Sequence, residues 1–428
     1  MGYIFYNILS IIVFPVLLIA LLVARKKYRS GLSQRMGFIP QSIIDRLKGV
    51  YPIWIHAVSV GEVIASIPII KKIKEVYPTK KIVLSTITST GNDTARQKIP
   101  EIDFLIYFPY DFFFVVKKVL AIINPCIFIH TETEIWPNFL FSLKQRQIPS
   151  IIVNGRISSN SCRRYKLFGW FFKKVFNKVS AFGMQSLIDY QRVIDIGVDP
   201  QKVLITGNMK FDQKTSDVDD NHKEKLLNVL NLGSNDKIFI AGSTHSGEED
   251  IVLDVFQILI KEYLNLILIL APRHPERFSE VEKLVKKRGL IAHRKSQMSN
   301  YHHLSRPHVI IMDTIGELAQ LYSIGEIIFV GGSLVNIGGH NLLEPLVYKK
   351  PVIFGPYTQN VSEFVKELIE SGAGILVRTK DDLLFQSRRL LDNKEEAQLR
   401  GAKGFHVLKV NQGATEKNFE LVKRFISD

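Results

Sequence analysis

The chain has 428 residues, 46% of them hydrophobic, and this length allows two to three domains, each with a full core. Its formal net charge of +15 asks for an anionic partner, and its two cysteines, Cys126 and Cys162, exclude a disulfide framework. No basic–aromatic module or helix-turn-helix signature accompanies the charge, which disfavours nucleic acid and leaves a lipid surface or a phosphorylated substrate.

In chain order, the first element is an uncharged stretch from Gly2 to Ala24, rich in Ile, Leu, Val and Phe. A helix across a bilayer core takes roughly 20 residues, so this run is just long enough. Arg25, Lys26, Lys27, Arg29 and Arg35 follow, and the positive-inside rule places the rest of the chain on the cytoplasmic side. A basic n-region and a small-residue cleavage site are both missing, which argues against a cleaved signal peptide. Pro15 leaves a kinked or re-entrant helix open as the alternative to a spanning one. The expectation is an N-terminal anchor over residues 1–26, single-pass or monotopic, at an inner membrane whose anionic face meets the positive charge.

From Tyr51 onward short apolar runs alternate with helical stretches such as Ile64–Val76 and Phe113–Ile123. PIWIHAV, KIVLSTIT, FLIYFPY, PCIFIHT, PSIIVNG, SAFGMQS and KVLITGN read as buried strands of a parallel sheet. The polar segment 212–222 (DQKTSDVDDNH) reads as a linker. A second series follows in KIFIAGS, LILILAP, HVIIMDT, EIIFVGG and PVIFGP. The pattern predicts an α/β protein of two Rossmann-like domains facing a central cleft, over residues 30–211 and 223–428, with the last helix able to pack back on the first.

Eight loops that follow predicted strands carry the chemistry. HAVSVGE offers Ser59, Gly61 and Glu62, and a carboxylate there can act as a general base or simply favour a helix N-terminus. TETEIWPN offers Glu132 and Glu134, the latter also a salt-bridge candidate for Arg156 in NGRIS. Lys210 in GNMKFD can meet a developing negative charge or be a solvated lysine. Ser243, Thr244 and His245 suit a phosphate or sugar, or a helix cap. Arg273, His274 and Arg277 in PRHPERF are anion-binding candidates. STITSTGNDTA and MDTIGEL complete the set. The glycine-rich string Gly331–Pro345 suits a nucleotide, its phosphate on the glycines and a helix N-terminus, its ribose on Glu344; an ordinary tight turn is the bland reading. Metal ligation is disfavoured, since Asp217 and Asp219 lie in the linker and no HExxH occurs. GxSxG and P-loop strings are missing too.

Taken in order, HAVSVGE, TETEIWPN, GNMKFD, AGSTHSGEE, PRHPER and GGHNLLEP resemble the lipopolysaccharide Kdo (3-deoxy-D-manno-octulosonic acid) transferases over essentially the whole chain. The resemblance implies a GT-B glycosyltransferase that moves Kdo from CMP-Kdo, with inversion, to the 6′-hydroxyl of the lipid A precursor lipid IVA, once or in succession. It makes Glu62 the general base and Glu132 and Lys210 the transition-state stabilisers. CMP contacts are implied for Pro272, Arg273, Ile315, Gly316, Glu317, Asn341, Leu342, Leu343 and Glu344, with no cofactor or metal. Ile-Gly-Glu and Asn-Leu-Leu-Glu stand where the family pattern has Met-Gly-Glu and Asn-Pro-Leu-Glu, apolar exchanges that keep both carboxylates. The residues alone leave two rivals open: a nucleoside-diphosphate-sugar enzyme of the same fold, and a tethered, non-catalytic sugar binder.

Overall fold

A computed structural model describes residues 2–23, 30–212, 220–301, 308–359 and 361–426. It divides into two compact units, Met1–Gln213 with Asn411–Asp428, and Lys214–Val410.

The first unit is built on seven parallel strands: β1 (Ile53–His56), β2 (Ile82–Thr86), β3 (Phe104–Tyr107), β4 (Ile127–Thr131), β5 (Ser150–Gly155), β6 (Ala181–Met184) and β7 (Val203–Ile205). Their order is β3-β2-β1-β4-β5-β6-β7. Both faces of such a sheet are covered, which is why β1, β2, β4 and β5 are buried at every position and read as continuous apolar runs. Trp54 of β1 anchors one face, edge-on to Phe128 and Phe139 with ring centroids 5.2 Å away in both cases. On the other face lies a helix from the far end of the chain, Ala414–Lys423. Its fully buried Asn418 accepts hydrogen bonds from Asn154 N (3.3 Å) and Thr206 Oγ1 (3.1 Å), and Asp212 accepts from the backbone N–H groups of Gly413 and Thr415.

The N-terminal helix runs over Gly2–Val23, and its side chains are described as far as Phe14. One face of that half docks on the unit. Tyr3 stacks on Phe141 at 4.2 Å, Phe14 meets Phe112 edge-on at 4.8 Å, and the Tyr6 hydroxyl donates to Asp111 Oδ2 at 2.9 Å. The other face leaves Ile4, Phe5, Ile8, Ile11 and Ile12 exposed. Among the described residues no helix is long and apolar enough to cross a membrane, and the described half of this one packs along its own domain. Arg25, Lys26, Lys27 and Arg29 lie outside the described residues.

The second unit repeats the plan with β8 (Lys237–Thr244), β9 (Leu266–Pro272), β10 (Ala292–Arg294), β11 (Val309–Ile311), β12 (Ile327–Val330), β13 (Val352–Phe354) and β14 (Gly374–Leu376). Their order is β10-β11-β9-β8-β12-β13-β14, again all parallel. The edge strands β10 and β14 have three residues each and no long apolar run, so they escape a hydrophobic-run reading. Of the expected linker 212–222, Asp212 closes a turn of the first unit and Asp220 opens a helix, Asp220–Val229. Residues 213–219, with Asp217 and Asp219, lie outside the described residues.

Candidate active site

The strand order of the first sheet reverses between β1 and β4, and that of the second reverses at its centre between β8 and β12. Loops leaving the carboxyl ends of such strand pairs diverge and open a crevice, where open α/β sheets bind their ligands.

In the first unit the loop after β1 leads into the helix Val60–Val76, with Ser59 at its N-cap and Glu62 in its first turn. Glu62 reaches back, its Oε2 accepting from Val58 N at 2.8 Å and its Oε1 from the Ser59 hydroxyl at 3.2 Å. Burial pushes its carboxyl up to about 7; the Val58 bond opposes this, and the charges of Glu132 and Glu134 add to it. The two bonds that tie down the helix start thus also hold in place a carboxyl that burial raises to about neutral pH. Gly61 faces open space.

Glu132 follows β4 in the left-handed region, φ 65, a conformation a glutamate holds only at a cost of about 1 kcal/mol. Its N–H bonds Val153 O at 2.9 Å, fixing that turn, and its Oε1 lies 3.2 Å from Lys210 Nζ. Lys210 sits in the turn Met209–Asp212, whose Met209 N–H is held by Asn154 Oδ1 at 2.8 Å. Burial raises the Glu134 carboxyl. Arg156 is exposed and gives its backbone N–H to Thr133 Oγ1. Glu62, Glu132, Glu134 and Lys210 are thus gathered at one switch point.

In the second unit the loops after β8 and β12 meet over a residue that the sequence reading left without a role. Glu248, fully buried, accepts four backbone N–H bonds: His245 at 3.0 Å, Gly332 at 2.7 Å, Ser333 at 3.0 Å and Leu334 at 2.9 Å. Gly331 and Gly339 give theirs to Gly242 O and Gly332 O. The expected phosphate cradle is therefore occupied by a carboxylate of the protein itself. The helix behind the glycines, Leu343–Val347, is short and starts well downstream. Glycine is required here for close approach. A Cβ on Gly331 would lie 2.6 Å from Ser243 O, and one on Gly332 (φ 69) would lie 2.8 Å from the His340 ring.

The other predicted residues surround this turn or flank it. Ser243 adopts φ 55 and Thr244 is buried. Pro272 ends β9, and the Arg273 N–H bonds Thr244 O at 3.0 Å while its side chain stays exposed. Arg277 is turned inward to the buried Glu249, 2.6 Å away, and so serves packing rather than the anion expected for it. His274 is exposed, stacked edge-on to His245 at 5.2 Å. Asn341 accepts from Leu343 N and donates to Glu344 Oε1, both at 3.0 Å, holding that carboxylate in place. Leu342 points into the core, so only its backbone is free to meet a ligand, whereas Leu343 is half-buried. Ile315 is 83% exposed beside Gly316 (φ 94), and Glu317 accepts from Lys295 Nζ and Thr314 Oγ1 at 3.0 and 2.9 Å. Among the described residues no group of three His, Cys, Asp or Glu side chains is arranged to hold a metal ion.

Two Rossmann-like units of seven parallel strands each, with carboxylates gathered at one switch point and a glycine-lined loop cluster at the other, have the architecture of GT-B glycosyltransferases. A crystal structure of a glycosyltransferase from Rickettsia africae shares the fold, with a TM-score of 0.58 over 89% of this chain and 99% of that one, at 14% identity. Residues 30–213 match the family model described as 3-deoxy-D-manno-octulosonic-acid transferase (kdotransferase). The 3-deoxy-D-manno-octulosonic acid transferase of Haemophilus influenzae is 36% identical over 99% of this chain and 98% of its own length. That of Chlamydophila psittaci is 31% identical over 94% and 90%. The chain belongs to the Kdo transferase family.

Proposed function

We propose that this protein acts in lipopolysaccharide synthesis, transferring Kdo with inversion from CMP-Kdo to the 6′-hydroxyl of lipid IVA. The observation that carries the mechanism is Glu62, a carboxyl near pH 7 held by two hydrogen bonds at the switch point of the first sheet. Its carboxylate takes the proton of the acceptor hydroxyl as that oxygen attacks the anomeric carbon. The carbon–phosphate oxygen bond breaks with its electron pair leaving on CMP. Lys210, 3.2 Å from Glu132, places a cation where charge develops.

The nucleotide is assigned to Pro272, Arg273, the Ile315–Gly316–Glu317 turn and residues 341–344. One phosphate carries less charge than a diphosphate, and Arg273 with its histidine neighbours suits it without a metal. Activity is therefore expected to persist in EDTA. The apolar outer face of the N-terminal helix, with Trp170, Phe113 and Phe114 exposed nearby and Lys117, Lys173 and Lys174 on the helices beneath, suits attachment to an anionic bilayer at the level of its headgroups.

The test is incubation of the protein with CMP-Kdo and lipid IVA, followed by mass spectrometry of the lipid. Gain of one or more Kdo masses supports the reading and counts the additions. An unchanged lipid, together with thermal protection by UDP but not by CMP, would sink it.

A further inference from the structure

The loops after β8 and β12 bring two histidines into direct contact. His245 Nε2 and His340 Nε2 lie 2.7 Å apart, with the rings nearly parallel (7°) and centroids at 5.0 Å. Two imidazole lone pairs cannot face each other at that distance, so one proton must lie between the nitrogens, and the rings share it. The contact is built in. His340 packs against Gly332, where any side chain would displace it, and the His245 backbone is fixed by Glu248.

The charges facing the pair are unbalanced. Arg273, His274 and Arg277 act on His245 from the β9 loop, with Glu248 as the opposing carboxylate; His340 faces Arg273 and His274. Glu248 is already committed to four backbone N–H groups, and Arg277 to Glu249 and Glu280. Arg273 makes no ion pair among the described residues, and its side chain is exposed. A switch point thus holds a half-buried proton-sharing pair under a free guanidinium, and the charge it lacks is negative. Burial first, then the neighbouring His245 and Arg273, push His340 down to about 4, and burial also depresses His245 against the opposing pull of Glu248, so the pair is neutral at pH 7.

We propose that His245 and His340 together form the phosphate-binding and proton-taking unit of the nucleotide site, gaining one proton when a phosphate dianion binds. This rests on the nucleotide-sugar reading above and adds a role to it. A phosphate diester carries one negative charge, and the departing nucleotide monophosphate carries two, its second pKa being about 6. As the carbon–oxygen bond breaks, the electron pair stays on the phosphate. The extra proton comes from solvent to a free ring nitrogen of the pair, the bridging proton staying where it is. It matches the second charge and leaves with the product or returns to solvent.

The test is isothermal titration of the full-length protein with CMP at pH 7.5, in buffers of differing ionisation enthalpy, which counts protons taken up per nucleotide bound. Wild type is expected to take up close to one proton with CMP and none with cytidine. His340→Gln and His245→Gln should each abolish the uptake and weaken CMP about 10- to 100-fold, leaving cytidine affinity within about 2-fold. No uptake by the wild type overturns the proposal outright, whatever the variants do. Undiminished uptake in both variants overturns it too. If UDP binds and CMP does not, the donor reading fails alone, and the same proton count with uridine monophosphate decides the role of the pair. If no pyrimidine nucleotide binds, both readings fall.

Discussion

Replacing Glu248 by Gln tests whether a buried carboxylate, rather than a ligand, organises the glycine-rich turn. Glu248 divides its four backbone partners evenly: Oε2 takes His245 and Gly332, Oε1 takes Ser333 and Leu334. A glutamine in the same pose keeps one oxygen and turns an amide NH2 toward two N–H groups. Two buried donors left unpaired, at about 1–3 kcal/mol each, amount to roughly 2–6 kcal/mol. With a urea slope of about 2 kcal/mol per molar, the second unit should melt roughly 1–3 M earlier. The assay exploits an accident of composition. All three tryptophans, Trp54, Trp136 and Trp170, belong to the first unit, so their fluorescence follows that unit while far-UV circular dichroism follows both. Glu248→Gln should therefore pull part of the dichroism transition to lower urea and leave the fluorescence transition in place. Glu276→Gln, at a side chain 74% exposed, should move neither. A dichroism curve for Glu248→Gln displaced by less than about 0.3 M would refute the reasoning.

Other outcomes follow from the first unit. Because Glu62 must be ionised to accept a proton and its carboxyl sits near 7 in the free protein, kcat/KM should fall about tenfold per pH unit below about 7 and level off above it; a kcat/KM profile flat from pH 5.5 to 8 would exclude Glu62 as the base. Glu62→Gln should lower kcat by about 10²- to 10⁴-fold without changing CMP affinity, as titration calorimetry would show. Glu132→Gly removes a carboxylate but also relieves its left-handed backbone, so activity should drop sharply while the fluorescence-detected midpoint stays within about 1 kcal/mol of wild type. Tyr6→Phe takes one donor from the buried Asp111, whose carboxyl burial already raises to about 7. The fluorescence transition should shift by about 1–3 kcal/mol while the second unit's share of the dichroism stays put.

The sequence carried the sheets plainly, because strands buried on both faces must be apolar without interruption, as IVLST and LILILAP are. It carried the placement of Glu62, Glu132 and Lys210 as well, since each lies in the segment that follows a strand end. It could not carry what depends on partners far apart in the chain. Glu248 looked like one acid among several opening a helix, and its acceptance of N–H groups some 85 residues on is a tertiary fact. Arg277 was misread for the same reason, its buried partner Glu249 lying on another helix. His340 went unremarked inside GGHNLLEP, although a histidine beside paired glycines was a signal that the space they leave has an occupant.

The helix Ala414–Lys423 has a consequence for how the molecule is made. It completes the unit that was synthesised first, yet it is made only after the whole of the second unit. At about 5–20 residues per second, the roughly 200 residues of the second unit take on the order of 10–40 s to synthesise. Throughout that interval the sheet face lacks the cover that Phe419 and Val422 will add to that of the helix Val60–Val76, and Asn154 N and Thr206 Oγ1 await Asn418. The second unit, contiguous in the chain, is free to finish before the first. A nascent chain stalled or clipped before residue 414 would thus damage the half that holds Glu62, although every residue of that half's sheet had already been translated.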